Sequence, residues 1–380
     1  MKELIYHRML LPAVERNADR PCATNTSTGF TTTFAEHLDR VSRLIGGLGS
    51  LGVGRGDRFA VMTLNSPEYL ELYHASFLGG GVINPLNLRF APKELAYVLR
   101  DSGTKVCFVD GFFAGLIDKV KEEAGLEHVV LIGQGDVPHT VTYDDLIASA
   151  TGVIPDEGEE TDPVVLMYTG GTTGQPKGVL LDQRAEILNA YHVMMTLKMH
   201  RSTVNLMQTP MFHAASMFSI LGGPALGARS VIVPMFDPKA VMAAVEQYQP
   251  TVTVMVPTMI GLTMSHPEFR PSGLASFDDL VYGASPMPQA LLEKVLALRQ
   301  RGCHLKIITD NPVSANAIST FGKEHDTIFD VWIELDCDGH RSGIAPDDKT
   351  SLLELAKILT DGGMHLDGVI THAGSSYDLD

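Results

Sequence analysis

The chain has little to hold it together by covalent or metal chemistry. Its four cysteines, Cys22, Cys107, Cys303 and Cys337, lie far apart with no C-x-x-C pair among 380 residues. That spacing argues against a disulfide framework and a thiolate zinc site, and it fits reduced thiols in a cytoplasmic protein. Basic charge is also scarce, with 29 Lys and Arg against 45 Asp and Glu and a formal net charge of −16. No surplus is left to neutralise a nucleic acid or an anionic membrane, although a small anion in a local basic pocket remains open. Long apolar runs are missing as well. None spans a bilayer, and the first twenty residues carry only a short apolar patch broken by His7, Arg8 and Glu15, which is not the core of a signal peptide. The expectation is a soluble, cytoplasmic protein of two or three domains, with no nucleic-acid partner and no integral membrane segment.

The acidic excess is unevenly spread. Residues 1–302 carry 24 basic and 31 acidic side chains, whereas residues 303–380 carry 5 and 14. Methionine changes in step, with 16 of 17 at or before Met287. The shift places a domain boundary near Cys303.

The densest chemistry lies in Tyr168-Thr169-Gly170-Gly171-Thr172-Thr173-Gly174-Gln175-Pro176-Lys177-Gly178, where four glycines, three threonines and one lysine occupy eleven positions. Glycines let backbone N–H groups approach an anion, threonines add hydroxyls and lysine adds a point charge. A Walker loop needs Gly-Lys-Ser/Thr opening a helix. Here Lys177 lies between Pro176 and Gly178, both poor in a helix interior. The flanking apolar runs 163–168 and 178–181 read as strands, so the segment is expected to be a strand-loop-strand phosphate clamp.

This run resembles the phosphate-loop signature of the adenylate-forming ligases, the superfamily of acyl-CoA synthetases, luciferases and peptide-synthetase adenylation domains. The family more often has Ser where Gly170 stands. The resemblance implies ATP held by Thr169, Gly170, Gly171, Thr172, Thr173, Gly174 and Lys177, with Mg²⁺ and coenzyme A as further cofactors. Upstream, strand and helix signals alternate: a helix through Leu38, Val41, Leu44 and Ile45 stopped by Gly46-Gly47, a strand 58–64, a helix opened by Pro67, a strand ending at 82–87, a helix 92–101 and a strand 105–109. That alternation predicts an α/β domain with a largely parallel sheet. Gly-Asp-Arg at 56–58 and Asn-Ser-Pro-Glu at 65–68 extend the likeness to the N-terminal subdomain of the acyl-CoA synthetases.

Two further segments fit the same family. Gln208-Thr209-Pro210-Met211-Phe212-His213 places an imidazole beside an aromatic ring, where it could orient a carboxylate; the alternative is a structural histidine. The family has a similar Phe-His segment between its acyl and thiol tunnels, which adds His213 to Lys177 and Thr172 as candidate catalytic groups. Gly283-Ala284-Ser285 offers small residues against which a flat base could lie, and it resembles the family's adenine-side segment; alone it also makes an ordinary turn. Met211, Phe212, Met217 and Leu221 suggest an apolar acyl pocket, for a fatty or aromatic acid rather than an amino acid.

After a helix at 288–301 the likeness stops. The family would supply a Thr-Glu pair whose Glu helps to hold Mg²⁺, and a C-terminal lysine, but residues 303–380 hold no Thr-Glu pair. They read instead as β-α-β-α-β, compatible with part of an eightfold barrel whose functional residues follow its strands. Asp310-Asn311-Pro312, the loop 336–343 and the stretch 371–377 resemble the D-serine dehydratase and D-threonine aldolase family, pyridoxal-phosphate (PLP) enzymes on an alanine-racemase-like barrel. By that resemblance Arg341, His372 and Tyr377 would face PLP. Lys306 has no Schiff-base context, and the adjacent Asp336, Cys337, Asp338 and His340 read as a solvated loop rather than a metal site.

The expected architecture is thus an incomplete AMP-binding domain over 1–302 followed by a partial PLP-type barrel segment over 303–380. The expected activity is ATP-dependent conversion of a carboxylic, chiefly fatty, acid to an acyl-adenylate and then to a coenzyme A thioester, impaired by truncation. The alternatives are a PLP-dependent D-amino-acid lyase or racemase fragment and a non-enzymatic composite of two truncated proteins.

Overall fold

The computed structural model describes residues 4–169, 175–270, 274–282, 306–336 and 343–371. The chain divides into two compact units, Met1–Asp278 with Tyr282–Arg301, and Asp279–Val281 with Gly302–Asp380. The strands are β1 (Pro21–Asn25), β2 (Thr31–Thr33), β3 (Arg58–Met62), β4 (Val82–Pro85), β5 (Val106–Asp110), β6 (His128–Ile132), β7 (Val141–Thr142), β8 (Pro163–Thr169), β9 (Lys177–Asp182), β10 (Val204–Met207), β11 (Arg229–Ile232), β12 (Val252–Met255), β13 (Asp279–Tyr282), β14 (Lys306–Thr309), β15 (Asp330–Leu335) and β16 (His365–Thr371).

In the larger unit one seven-stranded sheet runs β7-β6-β5-β3-β4-β8-β9. Every pairing in it is parallel except β8 with β9. A second sheet places β12, β10, β11, β1 and β2 in that order, parallel up to the antiparallel β1–β2 pair. The fold is therefore α/β with largely parallel sheets, as the alternation predicts. Parallel strands need helices on their faces. On the first sheet Met62, Cys107, Val109 and Leu131 pack with Leu95, Leu99 and Ile117 from the helices Pro92–Asp101 and Ala114–Ala124.

Helix starts follow local capping chemistry. Thr33 and Glu36 form a capping box, the Glu36 N–H donating to Thr33 Oγ1 at 3.2 Å and the Thr33 N–H to Glu36 Oε2 at 2.8 Å. Ser66 caps Pro67–Phe77 by accepting from the Tyr69 N–H at 3.1 Å, with Pro67 at the first helical position.

One helix stop is corrected. The helix that begins at Phe34 runs through Gly46-Gly47 to Ser50. These glycines are places of close approach: a Cβ on Gly46 would strike the Thr151 carbonyl oxygen, and one on Gly47 would lie 2.8 Å from Leu146 Cγ. The chain leaves the helix at Gly52, which takes the left-handed φ of +78°. Similarly, β3 ends at Met62 rather than residue 64, because Asp110 Oδ2 captures the Thr63 hydroxyl at 3.0 Å and the Leu64 N–H at 2.8 Å.

The smaller unit carries the parallel sheet β14-β15-β16 with the helices Pro312–Glu324 and Lys349–Asp361 between its strands. Asn311 and Asp348 cap those helices. This is the β-α-β-α-β order expected for residues 303–380.

Candidate functional site at the carboxyl ends of the strands

In open α/β sheets, ligands bind outside the carboxyl ends of parallel strands. Lys177 stands there across the β8–β9 hairpin, whose register sets Thr169 opposite Lys177 and Tyr168 opposite Gly178. Both Thr169 and Lys177 are exposed, and the Thr169 hydroxyl donates to the Lys177 carbonyl at 3.5 Å. The two arms of the predicted clamp thus stand side by side. Gly170, Gly171, Thr172, Thr173 and Gly174, which join them, lie outside the described residues, as do Gly283, Ala284 and Ser285.

Behind the first arm, the Tyr168 hydroxyl donates to Asp101 Oδ2 at 2.6 Å. Burial first and the neighbouring Asp101 carboxylate second raise the phenol's pKa, so Tyr168 stays a donor.

His213 follows β10 by six residues and opens the short turn Ala214–Ser216. Its ring lies 4.3 Å from that of Phe212, tilted by 40°. Desolvation and then the Arg89 guanidinium lower its pKa from the ordinary imidazole value, which favours the neutral ring. Arg89 lies in the loop after β4, where Asn87 Oδ1 accepts the Arg89 N–H at 3.0 Å. It was not among the sequence candidates.

The His213 turn is gripped from the other sheet. Asn65 Oδ1 accepts the Met211 N–H at 2.8 Å, and Asn65 Nδ2 donates to the carbonyls of Thr209 at 3.0 Å and Val233 at 3.2 Å. The Tyr73 hydroxyl donates to the Met211 carbonyl at 2.7 Å. Sequence reasoning saw Asn65-Ser66-Pro67-Glu68 as a likeness and a helix start, not as a clamp. The available signal was an asparagine at a strand's carboxyl end, directly before a capped helix.

Met211, Phe212, Met217 and Leu221, expected to border an acyl pocket, are all buried at 8 % exposure or less. A small cavity is lined instead by Leu206, Met207, Thr209, Ala215, Ser216, Ser219 and Val254. Among the described residues no group of three or more His, Cys, Asp or Glu converges on a metal position, and no helix is long and apolar enough to cross a membrane.

In the smaller unit Arg341, His372 and Tyr377 lie outside the described residues. Lys306 Nζ pairs with Asp367 Oδ2 at 3.3 Å and sits 5.6 Å over the Trp332 ring. It stands at the amino end of β14, whereas barrel chemistry gathers at the carboxyl ends. Lys306 does not fit a PLP Schiff-base lysine.

Comparison with known proteins supplies the context. The alanine racemase N-terminal domain matches residues 282–380, and the chain is 52 % identical over 106 residues to the D-threo-3-hydroxyaspartate dehydratase of Delftia sp., covering 28 % of each protein. Over 286 residues it is 34 % identical to a feruloyl-CoA synthase of Amycolatopsis sp., with 74 % of this chain and 55 % of the relative covered. The chain therefore spans about half the length of the ligase relative it matches. The N-terminal domain of FACL13 from Mycobacterium tuberculosis superposes with a TM-score of 0.69 at 27 % identity, covering 79 % of this chain and 74 % of that domain. The AMP-binding enzyme model matches residues 11–308, the stretch that holds both sheets, the β8–β9 arms and the gripped His213 turn. By that match, the chain belongs to the AMP-binding enzyme family.

Proposed function

We propose that this protein is an ATP-dependent acid–thiol ligase. The observation that carries the reading is the β8–β9 pairing, which sets Thr169 opposite Lys177 at the mouth of a Gly- and Thr-rich loop. A carboxylate oxygen of the acid attacks the α-phosphorus of ATP, the bond from that phosphorus to the bridging oxygen breaks, and pyrophosphate leaves. The thiolate of coenzyme A then attacks the acyl carbon and releases AMP. Lys177 and the threonines hold the β- and γ-phosphates as charge moves onto them, so the protein's part is positioning and charge stabilisation. A neutral His213 against the Phe212 ring suits orientation of the acid's carboxylate. Mg²⁺ would enter with the nucleotide.

An aromatic or fatty acid is the proposed substrate class, since one relative is named a feruloyl-CoA synthase and another, from Thermus thermophilus, a long-chain-fatty-acid–CoA ligase. We place the ligase part at residues 1–302 and a partial barrel segment at 303–380. Without the family's Thr-Glu pair, whose Glu helps to hold Mg²⁺, turnover is expected to be weak, beginning with adenylation itself. The test is ATP–pyrophosphate exchange with ferulate and a series of fatty acids. Exchange well above that of Lys177→Ala supports the reading, and exchange equal to that variant's ends it.

A further inference from the structure

The turn that carries His213 has its backbone polar groups engaged by side chains that are themselves buried. Thr209 O accepts from Asn65 Nδ2 at 3.0 Å and from the Ser216 hydroxyl at 3.3 Å, and Pro210 O accepts from the His213 N–H and from Ser216 Oγ, both at 3.0 Å. The Met211 N–H goes to Asn65 and the Met211 carbonyl to Tyr73. Asn65 is 4 % exposed and Tyr73 fully buried. Tyr73 is further fixed by stacking on Tyr69, with centroids 5.4 Å apart and planes 17° from parallel. A surface turn that only had to close would leave such groups to water.

Both gripping residues lie in the stretch of chain that follows β3 of the first sheet. Asn65 ends the connection after β3, and its own N–H donates to the Pro234 carbonyl at 3.0 Å. Tyr73 lies two helical turns further along Pro67–Phe77, the helix that Ser66 caps. One short stretch of chain therefore fixes the loops that follow β10 and β11 on the second sheet. Fixing a side chain by locking its backbone supports groups that must stay within a fraction of an ångström of a reacting centre.

We propose that Asn65 and Tyr73 are positioning residues that set the place of the His213 imidazole against the Phe212 ring. The inference rests on the reading of His213 as a group of the acid-activating site. Neither residue touches the reacting atoms. Each acts through the Met211 peptide, two residues before His213.

The test uses the full chain with labelled histidine and two variants, Tyr73→Phe and Asn65→Asp. The first removes one hydroxyl and keeps the ring; the second keeps an acceptor for Met211 and loses both amide donors. The His213 signal is identified by its loss in His213→Gln. In either variant His213 is expected to titrate closer to the ordinary imidazole range, since a loosened turn lets the ring leave the surroundings that lower its pKa. In Tyr73→Phe the Met211 amide should exchange with deuterium about fivefold faster, because losing the hydrogen bond to the neighbouring Met211 carbonyl eases opening of the turn. Pyrophosphate exchange should fall about tenfold in kcat with KM for ATP unchanged. Should Asn65→Asp fail to fold, Tyr73→Phe decides alone.

Unchanged titration and unchanged Met211 exchange overturn the positioning role. So does a shifted titration with unaltered kcat. If the unsubstituted protein shows no pyrophosphate exchange at all, the ligase reading falls, while titration and deuterium uptake still report whether the clamp sets the ring.

Discussion

The Tyr168 hydroxyl donates to Asp101 Oδ2 at 2.6 Å, and so fastens the strand that enters the Gly- and Thr-rich stretch to the last residue of the helix Pro92–Asp101. The contact has a charged acceptor, which makes it stronger than a neutral hydrogen bond. It anchors one arm of the hairpin and leaves Lys177 on the other arm.

Removing that hydroxyl should loosen only the first arm. Tyr168→Phe is expected to raise KM for ATP in the pyrophosphate-exchange assay by about three- to tenfold, the loss of about 1 kcal/mol of preorganisation. Lys177→Ala should instead lower kcat and kcat/KM together, because its charge answers charge that develops in the transition state. Identical kinetic profiles for the two variants would show that the arms are not distinct.

Gly46 and Gly49 lie in one helix and should respond oppositely to alanine. A Cβ on Gly46 would strike the Thr151 carbonyl, whereas one on Gly49 would meet nothing within 4 Å. Gly46→Ala is expected to destabilise by about 1–3 kcal/mol, the usual cost of overpacking. Gly49→Ala should stabilise by about 0.5–1 kcal/mol through helix propensity. Urea titration of both variants checks the pair, and a stabilised Gly46→Ala would mean that the helix does not approach residue 151 so closely.

Burial, followed by the nearby Asp182 carboxylate, raises the Glu186 pKa to about 7, and Glu186 Oε2 has no hydrogen-bond partner among the described residues. Because its folded pKa is raised, the folded chain keeps a proton that the unfolded chain has lost. Stability is therefore given up as pH rises from the unfolded value near 4.5 to about 7. Glu186→Gln should remove this loss, gaining on the order of 3 kcal/mol over the unsubstituted protein at pH 8 and almost nothing at pH 4. The comparison must be made against the parent chain at each pH. Buried His37 and His74 have lowered pKa values, so they act in the opposite sense as pH falls. A gain that did not depend on pH would show that Glu186 has the same pKa in the folded and unfolded chains.

Much of the fold could be read from the chain because its signals were local. Asn311-Pro312 opens a helix where the side chain accepts the Ser314 N–H at 2.9 Å, and Gly362-Gly363 closes the next one after Asp361. Gly46-Gly47 misled because a glycine needed for close packing looks the same in sequence as one that ends a helix, and Thr151 lies a hundred residues away. The hairpin arms were legible from Pro163 and Gly178. The grip of Asn65 on Met211 was not, since it joins residues 146 positions apart.

The chain holds one tryptophan, Trp332, in β15 of the smaller unit, where its indole N–H donates to Asp367 Oδ2 at 2.8 Å. Emission excited at the red edge of the protein spectrum therefore arises from that unit alone, while far-ultraviolet circular dichroism is dominated by the larger one. A single denaturation series followed by both signals thus separates the two parts without any label. Coincident curves would mean one cooperative molecule, and displaced curves two that melt independently.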